Sequence, residues 1–172
     1  MIFNLTILIL GLLASRYLFW RLPNLTQTQN GSGDFVVSIV IPARNEEDTL
    51  PLLLEDLKRQ TLPPLEIICV NDGSTDRTRQ LILEAGGRVK LVDVAEKPKD
   101  WMGKAWACLQ GAEASSGELL LFLDADVRLE ADALAKLEAT YRQDPCTVSV
   151  QPYHRISRIY ENISLFFNLI EV

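Results

Sequence analysis

Four short segments rich in β-branched residues or leucine recur along the chain: "FVVSIVI" (35–41), "EIICV" (66–70), "VKLVDV" (89–94) and "LLLFL" (119–123). Runs this short and this apolar predict strands covered on both faces, the signature of a parallel sheet. Parallel neighbours must be joined by right-handed crossovers, and the stretches between these segments have helical spacing. The expected fold is therefore α/β, a mostly parallel sheet with helices on both faces. Ligands of such sheets bind outside the carboxyl ends of the strands. A fifth strand is expected at "TVSVQP" (147–152).

The first helical stretch carries Leu50, Leu53, Leu54 and Leu57 at i, i+3, i+4 and i+7, and the same spacing turns Glu55, Asp56, Lys58 and Arg59 away from the core. Pro51 fixes where it starts, because proline is tolerated in the first turn and costs about 3 kcal/mol in a helix interior. Thr49 is then the N-cap, which leaves Asn45, Glu46 and Glu47 in the loop after the first strand. Further helices are expected over 75–85, 104–114 and 131–142. In "NDGSTD" (71–76), Ser74 or Thr75 is expected to cap the first of these, with Gly73 permitting the turn.

The chain has 172 residues, enough for one α/β domain with a short extra segment. Its net charge of −6 supplies no basic field for a polyanion, so nucleic-acid binding is not expected. Any phosphate must be held locally, by a metal or by backbone N–H groups. Cys69, Cys108 and Cys146 are odd in number and widely spaced, which argues against a disulfide framework or a zinc site and predicts buried thiols in a reducing compartment. His154 is the only histidine, so the chemistry must run largely on carboxylates.

Residues 1–22 are nearly all apolar up to Trp20, with Arg16 and Arg21 near the end. At ~1.5 Å per residue this run spans roughly the ~30 Å hydrocarbon core of a bilayer. A cleaved signal peptide would carry its positive charge before the apolar run, so an uncleaved transmembrane helix is expected, with a buried soluble helix as the alternative. The arginines place the rest of the chain on the cytoplasmic side of the plasma membrane. Residues 23–34 read as a linker, 35–152 as the domain and 153–172 as an amphipathic tail with Ile163, Phe166, Phe167 and Ile170 at helical spacing. That tail fits a membrane-apposed segment, a segment lacking its packing partner, or an ordinary core helix.

The residues able to do chemistry sit where the strands are expected to end. Asp124 and Asp126 leave an apolar strand at i and i+2, which in extended geometry project to one side and can reach one ion. Two oxygen ligands suit Mg²⁺ or Mn²⁺ in a phosphate site. Asp72 would lie over the sheet edge, where its carboxylate could accept a hydrogen bond from a base N–H. Lys104 opens a helix, where its charge opposes the macrodipole unless an anion binds there.

Together, "VSIVIPARNEE", "EIICVNDGSTDRT" and "GKAWACLQGAEASSGELLLFLDADVRL" resemble the family-two glycosyltransferases, inverting enzymes of the Rossmann-like GT-A fold, over approximately 37–129. "DWMGKAWA" and the N-terminal run further resemble membrane enzymes of this family that glycosylate carotenoid or hopanoid lipids. The resemblance implies a nucleotide-diphosphate sugar as donor, a UDP-sugar first, and a lipid or glycan acceptor. It implies that Asp72 contacts the base, that Glu46 with its loop neighbours Pro42 and Ala43 contacts the nucleoside, and that Lys104 lies near the phosphates. Asp124 would take the ribose and, with Asp126, the diphosphate-bound Mn²⁺ or Mg²⁺. Where many relatives have an aromatic residue before the asparagine, this chain has Arg44, which could stack on the base or pair with an acid. The family's general base comes from a segment well beyond the D-x-D, so the acceptor half is expected to be missing. Two other functions remain open: a membrane-tethered module that binds the donor without catalysis, and a sugar nucleotidyltransferase. The latter usually has a glycine-rich loop after the first strand, where this chain has "PARNEE".

Overall fold

The computed structural model describes residues 9–11, 13, 14, 35–94 and 96–150. The expected linker and tail lie outside the described residues, and so does the expected transmembrane helix apart from its five described positions, which are helical and exposed. Among the described residues no helix is long and apolar enough to cross a membrane.

The strands β1 (Val37–Ala43), β2 (Glu66–Asn71), β3 (Val89–Asp93) and β4 (Leu119–Phe122) form one parallel sheet in the order β3-β2-β1-β4. Each is followed by a helix: α1 (Leu50–Lys58), α2 (Thr78–Ala85), α3 (Gly103–Glu113) and α4 (Ala133–Gln143). Alternate residues of β1 face opposite layers. Ile39, Ile41 and Ala43 pack with the α1 leucines, Ile82 of α2 and Leu134 of α4. Val40 packs on the other face with Ile68, Val70 and Ala107 of α3. Helices thus cover both faces, and among the described residues α3 is the helix that packs on the Val40 face.

That helix lies very close to the sheet. A Cβ on Gly111 would come within 2.3 Å of Val40 Cγ1 and 2.9 Å of Val70 Cγ2, so only glycine fits. Pro42 is tolerated in a central strand because the hydrogen bonds of successive residues alternate between neighbours. Val40 accepts from Leu123 N–H on the β4 side and Ala43 accepts from Asp72 N–H on the β2 side, so the N–H that Pro42 lacks would face β4 just beyond its end.

Several expectations are corrected. Only β1 and β2 are covered on both faces; β3 and β4 are edges, with Leu120 and Phe122 exposed. No strand forms at 147–150, where most residues are exposed and no ladder joins them to β4. Asp56 does not face solvent. It is buried beneath Arg128, whose Nε and Nη2 donate to its two oxygens at 2.6 and 2.9 Å, and it also accepts Leu129 N–H at 3.1 Å. Among the cysteines, only Cys69 is buried, its thiol pushed up to about 12 by desolvation; Cys108 is half-buried, Cys146 is exposed, and all are free. Finally, α2 begins at Thr78 rather than Thr75, because Ser74 and Thr75 are bonded elsewhere.

Glu66 is a second buried carboxylate that local pattern does not reveal. Lys90 Nζ donates to it at 2.5 Å, Ser38 Oγ at 2.7 Å, and Ser116 through its N–H at 2.7 Å and its hydroxyl at 2.8 Å. It therefore ties β1, β3 and the turn before β4 to β2. These donors, Lys90 foremost, lower its pKa from 4.5 to about 2.

Gly111→Ala is expected to lower the free energy of unfolding by about 1–3 kcal/mol in urea titrations, since overpacking outweighs the ~1 kcal/mol gain in helix propensity. For Glu66, the folded state holds the carboxylate ionised below its ordinary range. Its contribution is thus complete above pH 4.5 and is lost as pH falls toward 2. Glu66→Gln should be less stable than wild type at pH 7, and urea titrations at stepped pH should show the gap narrowing between pH 4.5 and 2.

Candidate functional site

From β1 the chain steps outward to β2 and β3, then returns to the other side of β1 for β4. This reversal is a topological switch point, where the loops leaving adjacent strands diverge and open a crevice. An open cleft of about 390 Å³ lies there. Pro42, Ala43, Arg44 and Glu46 line it from the end of β1, Asp72 from β2, Gly103, Lys104 and Ala107 from the start of α3, and Asp124, Ala125 and Asp126 from beyond β4. Every residue nominated from sequence lines this one cleft. Gly103, Ala107 and Ala125 were not nominated: they are small residues that give the cleft room, and only the folded chain reveals that use.

Two loops are stitched to each other beside it. Asn45, in left-handed conformation with φ 56°, donates its N–H to Ser74 Oγ at 3.1 Å and accepts Thr75 N–H at 2.8 Å through its side chain. Asparagine tolerates that conformation better than most residues. Glu46 N–H donates to Thr78 Oγ1 at 2.8 Å, and Glu47 N–H to Asp76 at 3.2 Å, while Glu47 accepts Arg77 N–H at 3.0 Å. Asp76 also accepts Thr78 N–H at 3.0 Å and so serves the start of α2, the role expected of Ser74 or Thr75. Thr49 is the N-cap of α1 as expected, with Pro51 in the first turn, but its hydroxyl donates to the Glu46 carboxylate rather than accepting from the helix backbone.

The segment after β4 is anchored from below. Besides the Asp56–Arg128 pair, Gln60 donates to the Glu130 carbonyl at 2.7 Å and accepts Leu134 N–H at 3.1 Å, and Thr61 N–H donates to the Ala131 carbonyl at 2.8 Å. Asp56 of α1 and the two residues Gln60 and Thr61 just after it thus hold the stretch from Arg128 to Leu134 that leads from Asp124 and Asp126 into α4.

Four carboxylates face two cations across the cleft. Asp72 lies 3.9 Å from Arg44 Nη1, so Arg44 pairs with an acid, and Asp72 Oδ2 occupies space that a Cβ on Gly103 would enter at 2.9 Å. Lys104 Nζ lies 2.6 Å from Asp124 Oδ1, and this pairing holds the ammonium above the usual lysine range. The conflict between Lys104 and the helix macrodipole is thereby relieved by Asp124. No side chain caps the N-terminus of α3, whose first residues line the cleft. Asp124 and Asp126 offer hard oxygen donors of the kind Mg²⁺ and Mn²⁺ take. Among the described residues no group of three or more potential ligands exists, so phosphate and water would have to complete the coordination.

Residues 38–165 match the Glycosyl transferase family 2 pattern. The chain is 37% identical over 166 residues to a 4,4'-diaponeurosporenoate glycosyltransferase of Staphylococcus haemolyticus (strain JCSC1435), covering 93% of this chain and 44% of that protein. It is 40% identical over 140 residues to the Staphylococcus aureus (strain USA300) protein of the same name, covering 79% of this chain and 36% of that one. These relatives are consistent with the narrower resemblance to carotenoid-type enzymes, and the chain spans less than half of their length. Among solved structures, S. aureus TarS 1-349 superposes with a TM-score of 0.53 at 26% identity, covering 63% of this chain and 32% of that one. A parallel α/β sheet of GT-A type, a cleft at its switch point built from the family's motifs, and a match over most of the sequence lead to one conclusion: this chain belongs to glycosyl transferase family 2.

Proposed function

We propose that this chain supplies the donor half of an inverting glycosyl transfer, binding a nucleoside diphosphate sugar, a UDP-sugar first, in the cleft at the β1/β4 switch point. The observation that carries this reading is the convergence of Glu46, Asp72, Lys104, Asp124 and Asp126 on that cleft from four separate segments. Asp72 accepts a hydrogen bond from the base N–H, and the loop from Pro42 to Glu46 walls the nucleoside. Asp124 and Asp126 hold Mn²⁺ or Mg²⁺, with Asp124 also near the ribose. When bound, that ion neutralises charge on the departing diphosphate, a Lewis-acid contribution of several kcal/mol. The need for it follows from the charges: with four carboxylates against two cations, the cleft repels a bare diphosphate. Lys104 and the uncapped N-terminus of α3 then meet the phosphates from the other side.

The acceptor is a lipid of the kind named for the staphylococcal relatives, diaponeurosporenoate, or a glycan. An acceptor of that first class fits a chain held at the cytoplasmic face of the plasma membrane by residues 1–22. The base that activates the acceptor is assigned to no described residue.

Titration of the chain with UDP and GDP, with and without Mn²⁺, tests the donor site. Binding is expected to require Mn²⁺, to prefer UDP, and to weaken at least tenfold in the Asp124→Asn, Asp126→Asn variant. A folded protein that binds neither nucleotide would overturn the reading. Product analysis separates the enzyme classes: turnover that releases nucleoside diphosphate would mark a glycosyltransferase, and turnover that releases pyrophosphate a nucleotidyltransferase.

A further inference from the structure

Asp124 already has a cation. Its Oδ1 lies 2.6 Å from Lys104 Nζ, whereas a Mg²⁺ ion coordinates carboxylate oxygens at about 2.0–2.1 Å and Mn²⁺ needs comparable contact. An ammonium in that position and a divalent ion on the same oxygen would share one small volume with like charge. The second oxygen of Asp124 offers little escape, since the ion would still sit within a few ångströms of the ammonium.

We infer that Lys104 is an exchangeable placeholder that occupies the metal subsite in the donor-free protein, so that a divalent cation binds more tightly together with a diphosphate than before it. The inference rests on the donor-site reading above. The ion pair is built for exchange: the Lys104 and Asp124 side chains are 65% and 55% exposed, and a lysine is a point charge on a flexible stem. An arriving diphosphate offers the ammonium a stronger anion beside the first turn of α3, where Lys104 is rooted. Lys104 turns to it, and Asp124 is released to join Asp126. Cation and diphosphate thereby raise each other's affinity by the same factor, as linkage requires. The arrangement weakens the hold on a divalent ion when no donor is present.

The test measures Mn²⁺ alone, by loss of the free-ion electron paramagnetic resonance signal, on the full chain in detergent micelles, with circular dichroism as a check on folding. Lys104→Gln is expected to bind Mn²⁺ about two- to fivefold more tightly than wild type without nucleotide, the equilibrium counterpart of an exposed ion pair. The same variant is expected to bind UDP more weakly in the presence of Mn²⁺, so the two effects have opposite sign. A residue that merely supports the fold would weaken both. Lys104→Arg keeps the charge and should behave as wild type toward Mn²⁺ alone. Mn²⁺ binding to Lys104→Gln that is absent, unchanged or weaker overturns the placeholder role. The outcome is separable from the donor reading, which stands or falls on whether wild type binds UDP with Mn²⁺ at all.

Discussion

β1 has a strand on each side and helices on each face, and Ser38, Ile39, Val40 and Ile41 are withdrawn from water completely. Backbone groups so placed can bond only to neighbouring strands, and leaving one unpaired costs roughly 1–3 kcal/mol. The ladders are therefore fixed in register, Ala43 opposite Asn71 and Val40 opposite Phe122. Because these strands are parallel, their loops leave at the same edge. The short segments carrying Glu46, Asp72 and Asp124 inherit their positions from that register, and the cleft follows from how the sheet closes around its central strand.

The charged residues divide into two populations by depth. Glu66 and Asp56 are buried acids with their hydrogen-bond capacity satisfied by Lys90, Ser38 and Ser116 in one case and by Arg128 and Leu129 in the other. Removing the cation from such a pair is destabilising, because the carboxylate is left buried with part of its hydrogen-bonding unmet. The cleft's own pairs are different. Arg44 with Asp72 is long at 3.9 Å, and Lys104 with Asp124 is largely exposed. Exposed pairs contribute about 0–1 kcal/mol, little enough for a ligand to replace them. A rigid frame of committed charges thus carries a mouth of exchangeable ones.

Much of the fold was legible in local pattern. The strands are apolar runs, and the start of α1 was readable from Thr49 and Pro51, since capping and proline geometry act within one turn. What failed was whatever depended on a distant partner. Asp56 occupies the polar side of a helix by spacing, yet it is buried because Arg128, 72 residues later, covers it. The start of α2 shifted because Asn45 engages Ser74 and Thr75 from thirty residues earlier. The segment 147–150 has strand-like composition but, among the described residues, no paired neighbour of the kind a strand requires.

The candidate site divides in the same way. The sequence by itself determined which polar side chains follow the strand ends and so reach the cleft, because strand alternation and spaced acidic motifs are written along one dimension. It determined the family for the same reason. Only the tertiary structure decided that β4 returns beside β1 and so brings Asp124 to Lys104, that Arg44 meets Asp72, and that Gly103 leaves room for its carboxylate. Distances between groups far apart in the chain are fixed by packing and strand order, and no local periodicity encodes them.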